Sequence, residues 1–152
     1  MSLITPEACA YLDRIKLDSE GFKPKAVLQT SEVIDKRPWL ACAFAALLKV
    51  QRYGRFEPGI GDFRVSDDTL NMAGRVLGSI KYRHLPNPSL SALPGGGIQI
   101  TWVNGVEAVE VNVFPGEGVG VARLIDDVPT KAMELGAAEY ERLNEFLADF
   151  VG

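Results

Sequence analysis

The residues of this chain that could do chemistry are few. His84 is the single histidine, so any His-based dyad or Cys/His zinc site has to run through it. Its sequence neighbours Tyr82 and Arg83 are neither triad members nor zinc ligands. Cys9 and Cys42 form no CxxC pair and sit in apolar helical contexts, which reads as two buried thiols. The acidic pairs Asp67-Asp68 and Asp126-Asp127 are adjacent in sequence and do not converge on one point in a regular element. Helix capping accounts for the first pair and a turn for the second. Gly59, Gly61, Gly116, Gly118 and Gly120 lack the strand–GxGxxG–helix context, and neither a Gly-Lys-Ser/Thr phosphate loop nor a GxSxG elbow occurs. The expectation is a protein without catalytic residues, metal ligands or cofactor: not an enzyme.

Binding chemistry is better represented. Residues 49–84 hold seven basic and four acidic side chains, net +3, whereas residues 85–152 hold three basic and ten acidic, net −7. An uneven layout of this kind can steer a charged macromolecule. Arg52, Tyr53, Arg55, Phe56 and Arg64 bring positive charge and aromatic surface into one short stretch, and Arg and Tyr are enriched among interface hot spots. These five are the candidate binding residues. The competing reading has Tyr53 and Phe56 filling core gaps while the arginines pair with Glu57 and Asp62.

Elements must position that stretch. At 152 residues and 47% hydrophobic positions the chain suits one domain with its own core. A first helix is expected from Thr5 and Pro6, with Ala8, Tyr11, Leu12 and Ile15 as its apolar stripe; residues 22–37 are ambiguous between helix and strand. Pro38 opens a second helix, apolar nearly all round over 39–50 and therefore buried, with Gly54 as its stop. Residues 54–65 read as a loop. Ser66 caps a third helix whose core face is Leu70, Ala73, Val76, Leu77 and Ile80. Pro86, Pro88 and Pro94 then force an extended connector.

Residues 97–103 and 106–114 flank Asn104-Gly105 and predict a hairpin with a type I′ turn. The predicted register pairs Val103 with Val106, Ile100 with Val109 and Ile98 with Val111. It puts Ile98, Ile100, Trp102, Val109, Val111 and Val113 on one face. A third strand is expected over 119–125, an edge strand over 131–135 and a closing helix over 137–150. The expected fold is α+β: N-terminal helices on a three- to four-stranded antiparallel meander, closed by a C-terminal helix. It forms one domain, 1–152, mainly helical over 1–85 and sheet over 95–135.

From about residue 70 to 113 the chain resembles a loosely defined group of small uncharacterised bacterial and mobile-element proteins. The resemblance rests on Leu85-Pro86-Asn87-Pro88, Gly96-Gly97-Ile98-Gln99-Ile100-Thr101-Trp102 and Glu110-Val111. It implies a bacterial or mobile-element setting and carries no assigned activity. The functional expectation is an accessory protein that docks on a larger protein partner, in the manner of phage inhibitors such as anti-CRISPR proteins, or of antitoxins. A second reading is a small nucleic-acid-associated regulator using residues 49–84, and a third a small hydrolase or transferase. No membrane partner is expected, because the most apolar run, 39–48, is about half a membrane span. With no signal-peptide pattern evident, a cytoplasmic setting is expected.

Overall fold

The structure, a computed structural model, describes residues 37–116 and 118–151. The helix expected from Thr5, Cys9 and nearly all of 22–37 lie outside the described residues. Helix α1 (Pro38–Tyr53) starts with proline at its first turn and buries Trp39, Leu40, Ala43, Phe44 and Leu47. Gly54 caps it with φ −67°, so this glycine is not there for a left-handed turn. Helix α2 (Asp67–Gly78) starts as its sequence demands. The Ser66 Oγ accepts from the Thr69 N–H at 3.2 Å, and Asp67 and Asp68 sit in the positive first turn.

The connector and the hairpin belong to one five-stranded antiparallel sheet in sequence order. Its strands are β3 (Ser89–Ala92), β4 (Ile98–Asn104), β5 (Glu107–Phe114), β6 (Gly118–Ile125) and β7 (Val128–Leu135). Two further two-residue strands, β1 (Phe56–Glu57) and β2 (Gly61–Asp62), pair as a small ribbon within the stretch expected to be loop. A 3₁₀ turn (Ala137–Arg142) leads into α3 (Leu143–Val151), where a single helix over 137–150 was expected. The α+β class, the antiparallel meander and the closing helix stand as expected; the strand count is higher.

The helix-side face of the sheet is the core. Ile98, Ile100, Trp102, Val109, Val111, Val113, Val119, Val121 and Leu135 are buried there with α1, α2, Leu143, Phe146 and Leu147. The expected set of hairpin residues does share that face, but the register is displaced. Ile98 pairs with Val113, Ile100 with Val111, Trp102 with Val109 and Asn104 with Glu107. The turn residues are thus Gly105 and Val106, and only Gly105 (φ 66°) has left-handed φ, the pattern of a type II′ turn. The displaced register lifts Glu107 from opposite Trp102 to the sheet end. There it meets Arg123 at 3.3 Å. The I′ turn occurs two hairpins later, at Asp126 (φ 52°) and Asp127 (φ 64°) between Ile125 and Val128.

Candidate functional site

The five candidate residues lie on the ribbon and its two roots. Arg52 and Tyr53 end α1, Arg55 precedes the outgoing strand, Phe56 begins it, and Arg64 lies beyond the returning one. Several bonds hold the ribbon and its two roots in place. The Phe63 N–H donates to the Arg55 carbonyl at 2.9 Å, and the Gly95 N–H to the Asp62 carbonyl at 2.9 Å. The Gln51 amide donates to the Val65 carbonyl at 3.0 Å and to Asp67 Oδ1 at 2.8 Å, tying α1 to the entry of α2. At Gly54 a Cβ would stand 2.3 Å from the Phe63 carbonyl oxygen. Close backbone approach is what requires glycine there.

Held in this way, the end of α1 and the ribbon present one aromatic ring each to solvent. Tyr53 is 54% exposed and Phe56 58% exposed. Ile60, 68% exposed at the tip between Gly59 (φ 79°) and Gly61, adds a third apolar side chain. Sequence reasoning missed Ile60. Its signal was a β-branched residue set between two glycines in a polar loop. Arg52, Arg55 and Arg64 are all exposed. Arg64 is paired within the ribbon. Its Nε and Nη2 donate to the two Asp62 carboxylate oxygens at 2.9 and 2.8 Å. Those side-chain bonds, with the Arg64 backbone N–H behind them, hold the Asp62 carboxyl at about 2. Arg64 is thus partly neutralised in place, as the competing reading anticipated, while Tyr53 and Phe56 do not fill core gaps.

The remaining chemistry-bearing residues stand apart. His84 is exposed beside exposed Arg83, and Cys42 is half-buried on α1. Asp67 and Asp68 sit in a helix first turn and Asp126 and Asp127 in a hairpin turn. Among the described residues no three His, Cys, Asp or Glu side chains gather as they would around a metal ion. What the ribbon arrangement can do is recognition. It offers rigidly presented aromatic surface beside guanidinium groups, the composition of an interface hot spot. No helix among the described residues is long and apolar enough to cross a membrane.

No family model, curated protein or solved structure matches the chain. The class is therefore set by architecture alone: an α+β protein whose five-stranded antiparallel meander is backed by helices on one face and carries a pinned ribbon at one end.

Proposed function

We propose that this chain is a non-enzymatic accessory protein that docks on a larger protein partner through Arg52, Tyr53, Arg55, Phe56 and Arg64. Its action resembles that of small phage and mobile-element inhibitors or antitoxins. The observation that carries this reading is the exposure of Tyr53 at the end of α1 and of Phe56 at the start of a ribbon whose backbone is fixed at both ends. Large aromatic side chains left in water on a rigid support are poorly explained by folding. They combine contact area with little conformational entropy to lose on binding. A partner with acidic and apolar surface complements them.

The test is affinity capture from the source cells with the wild-type chain and an Arg52→Glu/Arg55→Glu variant in parallel. A protein retained by the first and lost by the second supports the reading; identical retained sets contradict it. The same alternation of arginine and aromatic side chains also favours a nucleic-acid partner, since bases stack on exposed rings. Gel-shift series at about 50 and about 200 mM salt separate the two readings, because phosphate contacts weaken steeply with salt. Absence of any shift at the lower salt removes the nucleic-acid reading.

A further inference from the structure

We propose that the open edge of β7 takes a short, extended, basic segment of a partner protein by strand addition, at a surface separate from the ribbon. The backbone argument starts at the β4–β5 turn. Asn104 and Glu107 flank its two-residue loop, so their N–H and C=O groups face each other. Alternation along β5 then turns the backbone groups of Ala108, Glu110 and Asn112 toward β6. Their partners Leu124, Ala122 and Gly120 turn toward β5 and away from β7. The β7 residues opposite these, Pro129, Ala132 and Glu134, therefore direct their backbone outward to an edge that pairs with no strand among the described residues. Pro129 has no N–H to offer, which is the placement proline tolerates in a sheet. Ala132 and Glu134 each offer an N–H and a C=O at alternate positions, and both residues are exposed. That is the spacing an added strand requires.

The adjoining sheet face selects the occupant. On the side away from the helices, Asn112, Gly120, Ala122, Ala132 and Glu134 line a groove of about 430 Å³. Its floor is shallow because its side chains are small; a Cβ at Gly120 would meet nothing within 4 Å. Asn112 Oδ1 is shielded from solvent and has no hydrogen-bond partner. The charged strand residues on this face are Glu110 and Glu134. The strands' two cations stand on the helix side: Arg123 lies opposite Val109, and Lys131, opposite Arg123, has its Nζ 4.8 Å from the Phe146 ring centroid. Glu110 is held by Gln99 at 2.7 Å, which leaves Glu134 as the edge's carboxylate.

A second copy of the chain fits poorly. Antiparallel pairing of Ala132 with Glu134 of another copy would bring the two copies' Glu134 carboxylates close on one face, with no strand cation between them. A basic segment meets the opposite condition. Pro129 and the bulge at Arg123/Leu124 block the first half of the edge, so the added strand is short. In the antiparallel sense of this sheet, the partner residue opposite Glu134 comes first. The residue opposite Ala132 comes two positions later, over the small-residue groove. The recognised pattern is therefore basic–x–apolar.

The probe is a blocked heptapeptide, Thr-Thr-Lys-Thr-Val-Thr-Thr, set against the same peptide with Glu for Lys. The full chain is titrated with each and followed by backbone amide NMR. The lysine peptide should bind at least about tenfold tighter, shift the Ala132 and Glu134 amides and slow their hydrogen exchange. Glu134→Lys should reverse the preference. Ala132→Pro should abolish binding, and because that N–H faces outward the variant should keep the wild-type near-UV spectrum. Should Ala132→Pro fail to fold, methylation of the peptide valine nitrogen removes the reciprocal bond of the same pair, from the valine N–H to the Ala132 carbonyl, and should abolish binding to the wild type. Equal affinity for the two peptides, no binding of either, or indifference to the lost N–H would each overturn the proposal.

Discussion

Trp39 of α1 and Trp102 of β4 meet edge to face in the middle of the core, their ring centroids 5.9 Å apart and their planes at 80°. Both are fully buried. The contact joins the helix that carries the ribbon to the strand that begins beside the ribbon's foot. Trp102→Ala should cost about 3–5 kcal/mol in equilibrium urea unfolding, the range for removing a large buried aromatic side chain. The two rings are not equivalent, since Trp39 donates to the Tyr82 carbonyl at 2.8 Å while Trp102 Nε1 has no acceptor. Trp39→Phe should therefore cost about 1 kcal/mol more than Trp102→Phe. Equal costs would show that the Tyr82 bond contributes nothing.

The root of the ribbon makes a second expectation. A methyl at Gly54 cannot fit against the Phe63 carbonyl without moving backbone. Gly54→Ala should destabilise by about 1–3 kcal/mol, and the Phe63 amide should exchange faster with solvent. An unchanged Phe63 amide would show that the ribbon is not fixed at this point.

The I′ turn built from two aspartates is strained relative to glycine. Asp127→Gly relieves a left-handed L-residue at the cost of unfolded-state entropy, for a net gain of about 0.5 kcal/mol. Asp127→Val, which tolerates that conformation worst, should lose about 1–2 kcal/mol. Chemical denaturation of the two variants side by side checks the order, and a valine variant as stable as the glycine one would contradict the turn geometry.

The Asp62–Arg64 pair sets a pH expectation. The Asp62 carboxyl is lowered in the folded chain, to about 2 from 3.8. Its contribution to the folded ribbon is therefore complete above about pH 4 and lost as pH falls toward 2. A carboxyl-carbon NMR titration should place Asp62 well below the usual aspartate range, and Arg64→Ala should return it to that range. A normal Asp62 titration in the wild-type chain would remove the pair from the account.

The face assignment of the hairpin was legible because alternation sorts side chains by parity. The register was not, because a two-residue shift leaves parity unchanged and only the burden of Glu107 beneath Trp102 separates the alternatives. Asn104-Gly105 pointed to the wrong turn type for a related reason. The glycine can serve as the first loop residue of II′ as well as the second of I′. Strand β3 was hidden in Ser-Leu-Ser-Ala between prolines, whose extended backbone was readable but whose partner was not. Strand β7 was read three residues short, since Pro129 signals a turn unless its missing N–H is known to face an open edge. At the candidate site, residue types were legible, whereas exposure of Tyr53 and Phe56 depended on a ribbon of two-residue strands that no periodicity announces.

The most direct test of the docking reading is the affinity of the captured partner for the wild-type chain and for the Arg52→Glu/Arg55→Glu variant, measured by calorimetric titration with thermal unfolding as the control for folding. Hot-spot residues contribute about 2 kcal/mol or more each, so the variant should bind at least about 30-fold more weakly with an unchanged unfolding temperature. A folded variant that binds within about twofold of wild type would contradict the assignment of the ribbon as the interface.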